Sequence, residues 1–169
     1  KRERLSGILR TIAATGMRIG ELRYLTVETL SRQKIEIHFK GKQRVILMAR
    51  SLVIFLRDYC RRNRITSGII FATKNGNPVD RRNIWAEMKE LCEPARVLPS
   101  KVFPHNLRHL FARCFYERER DLVRLADYLG HSSIETTRRY TMITSEEACA
   151  RELELGLAGN ESWGGAEKK

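Results

Sequence analysis

HNLRHLFARCF, residues 105–115, sets two histidines and an arginine within one and a half helical turns and follows them with apolar bulk. Side chains three and four apart share one side of a helix, so His105, Arg108 and His109 project together. Leu107, Leu110 and Phe111 predict that this helix packs into a core, where a guanidinium without a partner is costly. An arginine so placed calls for an anion. Two histidines at this spacing can also hold zinc, but the H-E-x-x-H pattern needs Glu where Asn106 stands, and the sequence offers no third ligand. No metal is expected.

The segments on either side read the same way. Leu5, Ile8, Leu9 and Ile12 recur at the spacing of a half-buried helix that Thr15-Gly16 stops, and a second short helix runs through RIGELRYL, residues 18–25. Ile35, Ile37 and Phe39 then alternate with Glu36, His38 and Lys40, and VILM follows KGK, which predicts a hairpin over residues 34–48 with Lys40 at its turn. Leu52, Phe55, Leu56 and Tyr59 mark a further helix. GIIFATKNGNPVD, residues 68–80, reads as a short buried strand and a turn, and Asp80 as the cap of a helix carrying Ile84, Met88 and Leu91. After a loop with three prolines comes the opening stretch. Asp121 caps a helix ended by Gly130, Ser132 with Glu135 forms a capping box for a helix that carries Tyr140, and Thr144 with Glu147 repeats that pattern before a stripe of Cys149, Leu153 and Leu157. The expected fold is one mainly α domain with a small antiparallel β-sheet, and the Gly-rich end, 158–169, is expected to be a flexible tail.

The 169 residues hold 32 Lys and Arg against 20 Asp and Glu, net +12, and residues 1–64 alone hold 16 basic against 5 acidic groups. A basic surface of this kind most often meets a polyanion, nucleic acid above all, although it can also serve solubility. Cys60, Cys92, Cys114 and Cys149 are widely spaced and read as reduced core thiols of a cytosolic protein. No apolar run approaches the roughly 20 residues that span a bilayer, so no membrane partner is expected.

Three more stretches carry chemistry. In TGMRIGEL, residues 15–22, Arg18 stands where one helix stops and another starts, close to N–H groups that favour an anion; the same arginine can equally be a surface partner of Glu21. KGK, residues 40–42, puts a lysine at a hairpin tip, where exposed lysines are also common. LADYLGHSSIETTRRYT, residues 125–141, brings His131 after a helix stop and Tyr140 beside Arg138 and Arg139. A phenol, with its pKa of about 10, is a poor nucleophile unless positive neighbours favour the phenolate. A core tyrosine with a hydroxyl partner is the other reading.

In this order TGMRIGEL, KGK, HNLRH and LGHSSIETTRRYT resemble the signature set of the tyrosine recombinase, or phage-type integrase, catalytic domain, over residues 1–157. The resemblance implies that Tyr140 attacks a DNA phosphodiester to form a 3′-phosphotyrosine bond, that Arg18 and Arg108 grip the non-bridging oxygens, and that His105 and His131 assist proton transfer. It implies Lys40 as the general acid for the leaving 5′ oxygen, with Lys42 as competitor. Glu21 would orient the arginines, His109 would support them, and Lys42, Arg44, Arg138 and Arg139 would be weaker DNA contacts. No cofactor is implied, because the cations do what magnesium does elsewhere. The implied partners are double-stranded DNA and further copies of the chain, as a tetramer on two sites.

By the same resemblance, core-binding and arm-binding domains would precede this chain, and helix 145–157 would dock on a neighbouring protomer. HNLRHLFARCFYERERDLVRLADYLGH, residues 105–131, looks less like the resolvases than like bacterial mobile-element integrases of phages and transposons, which implies action in the cytoplasm on the nucleoid. The alternatives are a chromosome-dimer resolvase, a type IB topoisomerase-like enzyme, and a DNA-binding protein with a retired active site.

Overall fold

The computed structural model describes residues 2–39, 42–131 and 133–141. Helix α1 (Arg2–Thr15) leads through a 3₁₀ turn (Ile19–Tyr24) and α2 (Val27–Arg32) into an antiparallel hairpin, β1 (Lys34–Phe39) and β2 (Lys42–Leu47). Then come α3 (Arg50–Arg62), α4 (Arg81–Glu90), α5 (Pro104–Glu119), α6 (Leu122–Leu129) and α7 (Ile134–Thr141). The hairpin is the sole sheet among the described residues, so the architecture is the expected helical domain with one small sheet.

The apolar side chains fall into two clusters. The larger joins Leu5, Ile8 and Ile12 of α1 to Ile35, Ile37 and Ile46 of the hairpin, Leu52, Val53 and Leu56 of α3, and Ile84 and Met88 of α4. The smaller joins Ala112 of α5 to Leu125 and Leu129 of α6, with Phe111 and Phe115 against them. Helix α5 packs on α1 and so brings the two clusters side by side. The site described below lies along that seam.

Register explains one oddity of the hairpin. Ile35 pairs with Ile46 and Ile37 with Arg44, so the inner face carries two buried isoleucines opposite an arginine and a third isoleucine. Successive strand residues alternate faces, and Val45 and Leu47 therefore point outward, 40 % and 62 % exposed.

Local readings differ from expectation at several points. Helix α2 was not expected; Thr26 starts it by accepting the Thr29 amide. Residues 68–80 form no strand, pairing through single bridges at Thr26 with Ile69 and Ala72 with Pro78, although Ile70 and Phe71 are buried as expected. Asp80 and Asp121 do cap α4 and α6. Helix α7 begins at Ile134, and its cap is Ser133, whose hydroxyl accepts the Glu135 amide; Ser132 lies outside the described residues. Leu110 is half exposed. Cys60 and Cys92 are buried thiols, whereas Cys114 is exposed, because it lies on the solvent side of α5. The segment 145–157 and Cys149 lie outside the described residues.

Candidate active site

Arg108, only 1 % exposed, is a large buried side chain and the centre of the site. Its Nη1 donates to the Gly16 carbonyl, just past the end of α1, and its Nη2 donates to the Leu129 carbonyl, 2.7 Å away at the end of α6. Carbonyls at helix C-termini lack intrahelical partners and carry partial negative charge. Two helix ends thus supply much of the counter-charge that the sequence left unexplained. Both helix ends are followed by a glycine that its surroundings require. Gly16 has φ +61° and a Cβ there would lie 2.4 Å from the Phe111 ring; Gly130 has φ +64° and a Cβ would lie 2.6 Å from Arg44 Cδ.

His131 completes this part of the site. Its Nε2 is 3.0 Å from Arg108 Nη2, and its Nδ1 is 2.8 Å from the hydroxyl of Thr137, a fully buried residue of α7. A guanidinium can only donate, so the geometry assigns Nε2 as acceptor and Nδ1–H as donor to Thr137. Burial, followed by the charges of Arg108, Arg18, Arg44 and His105, pushes the His131 pKa down to about 4. The ring is neutral at pH 7, in agreement with that tautomer.

Across the cleft, Arg18 is half exposed. Its Nη1 lies 3.1 Å from Glu21 Oε1 and its Nη2 3.4 Å from the Gly130 carbonyl. Glu21 Oε2 accepts the Arg18 amide at 2.6 Å and also Arg44 Nη2, so one carboxylate serves two guanidinium groups. Arg44 Nη1 donates to the Tyr128 carbonyl at 2.6 Å. Arg44, expected as a weak DNA contact, is instead held inward with its side chain 11 % exposed. At the start of α5, the His105 and His109 rings meet edge to face at 4.6 Å. Burial lowers both pKa values, and Arg108 lowers each further.

Arg18, Glu21, Arg44, Gly130 and His131 line a cleft of about 1080 Å³ that also takes in Arg124. Five arginines, Arg18, Arg23, Arg44, Arg81 and Arg124, with the neutral His131, outnumber the carboxylates of Glu21 and Asp127 and form a pocket suited to an anion. Lys40 lies outside the described residues. Lys42 opens β2, and Arg139 and Tyr140 fall within α7, Tyr140 one turn after Thr137; for these three the backbone is described. Arg138 is exposed, 3.9 Å from Glu135. Among the described residues, no three His, Cys, Asp or Glu side chains sit together as a metal site, and no helix is long and apolar enough to cross a membrane. Sequence reasoning missed Thr137 and the inward role of Arg44. A signal for the latter was present: an arginine occupies the buried phase of a strand whose outward phase is apolar.

The family model described as "Phage integrase family" matches residues 1–147. Tyrosine recombinase XerA of Pyrococcus furiosus is 32 % identical over 152 residues, which cover 86 % of this chain and 51 % of that protein. The chain spans about half the length of the curated relatives it matches. Among solved structures, the XerH site-specific recombinase bound to its palindromic difH substrate, a post-cleavage complex, aligns with TM-score 0.73 at 25 % identity, over 91 % of this chain and 46 % of that one. The Tn1549 transposon integrase with transposon right-end DNA shares the fold, with TM-score 0.69 at 19 % identity over 90 % of this chain and 58 % of that one.

Proposed function

Because the chain belongs to the phage integrase family, we propose that it is the catalytic domain of a tyrosine site-specific recombinase that cuts and rejoins double-stranded DNA. The observation that carries the proposal is the meeting of three separate stretches of sequence: Arg18 and His131 line one cleft, and the buried Arg108 stands directly behind His131, 3.0 Å from its Nε2. In the proposed reaction the Tyr140 oxygen attacks the scissile phosphorus, the bond from phosphorus to the 5′ oxygen breaks, and a 3′-phosphotyrosine bond replaces it. Arg18 and Arg108 take the non-bridging oxygens, where their charge counts most as the five-coordinate transition state forms. The phenolic proton leaves toward a neighbouring base, for which His105 is the candidate, and Lys40 or Lys42 protonates the leaving 5′ oxygen. His131, holding an Arg108 N–H through Nε2, keeps that donor aimed until a phosphate oxygen takes it over. The new ester keeps the energy of the old one, so a second 5′ hydroxyl can reverse the step without ATP.

At the finer level we propose an integrase of a mobile element, four protomers acting on two sites. The Xer names of relatives at 30–32 % identity support a second reading, a Xer-type recombinase acting on a palindromic site such as the difH substrate in the XerH complex. The test uses nicked suicide duplexes bearing candidate element ends or palindromic sites. The full-length protein is expected to form a denaturation-resistant adduct mapped to Tyr140, lost in Tyr140→Phe while DNA binding persists. Tight binding without an adduct on any duplex would move the retired-enzyme reading ahead, and the class of site that reacts decides between the finer readings.

A further inference from the structure

We propose that Arg44 is a positioning residue of the active site, acting through Glu21 on Arg18. The inference deepens the recombinase reading and rests on it. Arg44 sits on the inner face of β2, directly across from Ile37, where strand alternation calls for an apolar side chain. Its two terminal nitrogens go to different elements, Nη2 to the Glu21 carboxylate in the 3₁₀ turn and Nη1 to the Tyr128 carbonyl near the end of α6. The methylene stem packs against Gly130, and the Gly130 carbonyl accepts Arg18. Glu21 in turn holds Arg18 by its backbone amide and its guanidinium. Arg44 therefore touches both supports of Arg18.

Burial makes this arrangement expensive. Arg44 Nε is buried with no hydrogen-bond partner among the described residues, and an apolar residue would suit the inner face of the hairpin better. A residue that breaks the local pattern and leaves a buried donor unsatisfied is expected where function requires it. The chemistry also selects arginine. A planar fork can bond a carboxylate with one arm and a carbonyl with the other, whereas a single ammonium cannot span both at these distances. Without the tie, Glu21 is free to swing toward solvent and Arg18 loses its fixed angle to the phosphate.

Arg44→Lys in the full-length protein keeps the charge and removes the fork. The probe is a nicked duplex recovered from a randomised pool through its covalent adduct with the wild-type protein, then made with the ordinary phosphate, a methylphosphonate or a 5′-bridging phosphorothiolate at the mapped position. Cleavage of the phosphate duplex is expected to fall roughly 100-fold, the scale of a displaced transition-state contact, with binding and melting temperature close to wild type. On the methylphosphonate, which lacks the anionic oxygen that Arg18 would neutralise, the defect is expected to shrink to about threefold, since the lost contact matters through that charge. Equal loss on both duplexes, or rescue by the phosphorothiolate alone, overturns the inference, because the defect would then lie in general structure or at the leaving group. If Arg44→Lys does not fold, Arg44→Gln takes its place. Glu21→Gln combined with either change is expected to add little to the defect, and full additivity also overturns it. A wild-type protein that binds DNA but yields no adduct from the pool removes the recombinase reading and this inference with it.

Discussion

Gly16 and Gly76 both adopt positive φ, +61° and +79°, yet a methyl group would meet very different surroundings. At Gly76 nothing lies within 4 Å of the added carbon, so Gly76→Ala is expected to cost the backbone term alone, about 1 kcal/mol. At Gly16 the methyl runs into Phe111, whose ring is stacked on Tyr128 with centroids 5.4 Å apart. Gly16→Ala is therefore expected to cost roughly 2–4 kcal/mol, backbone strain plus overpacking, and to move the carbonyl that Arg108 uses. Urea unfolding of the two variants checks the difference. The histidines add a pH dependence. Because the folded-state pKa of His131 is depressed to about 4 from an ordinary 6.5, the unfolded chain takes up its proton first as pH falls. The stability tied to a neutral His131 is complete above about pH 6.5 and is lost progressively down to about 4, where the folded state also protonates. His105 and His109 shift in the same direction. Urea midpoints between pH 7 and 5 are expected to fall for the wild type and to fall less steeply for His131→Asn; identical slopes would rule out the depressed ring. At this scale the candidate residues could be read from four short motifs, but their partners could not. That Arg108 is paid in helix-end carbonyls, and that Thr137 sets the His131 tautomer, depends on contacts between residues far apart in the chain.

Short helices put their ends to work in this domain. Helix α6 has 8 residues, and its last carbonyl holds Arg108, so fraying is felt at the site. Asp121 starts α6 by accepting the Arg124 amide at 2.8 Å, while Asp80 does the same for α4 with the Arg82 amide at 2.6 Å. Removing either cap is expected to cost about 1 kcal/mol in chemical denaturation. Only Asp121→Ala is expected also to slow adduct formation severalfold, since α4 carries none of the groups that hold Arg108, Arg18 or His131. Equal rates for the two variants would disconnect the α6 end from catalysis. Elements with strong periodicity, such as α1, α3 and the hairpin, and those with explicit caps, α4 and α6, were legible in sequence. Helix α2 was hidden by its brevity, six residues that include Val27 and Thr29, which favour extended structure on their own. The apolar run at 69–71 looked like a strand because burial on all sides gives the same signature, and here the neighbours offer isolated bridges in place of a ladder.

Taken as one body, the chain brings together two apolar clusters and a lopsided charge, net +12 with most of the excess in residues 1–64. Position decides which of these cations can meet a polyanion. Arg61 and Arg62 at the end of α3 are already paired with Asp58, and Arg62 also with Glu3. Arg23 and Arg81 instead line the cleft that holds Arg18 and His131, as does Arg124, which also meets Glu119 at 3.4 Å. If the cleft receives DNA as proposed, each of these three displaces counterions on binding, and the affinity of the chain falls with salt by a slope of about −0.9 per phosphate neutralised. Arg23→Ala and Arg81→Ala are each expected to make the slope shallower by about one, and Arg124→Ala by less because Glu119 shares its charge, and all three to weaken binding to all duplex sequences alike. Arg61→Ala is expected to leave the slope where it was, because its charge is spent on Asp58. Fluorescence anisotropy with one labelled duplex across about 50 to 200 mM salt reads all four slopes, in the range where counterion release dominates. A slope unchanged by the cleft arginines but reduced by Arg61→Ala would move the DNA path to the α3 face and take the phosphate away from Arg18 and Arg108.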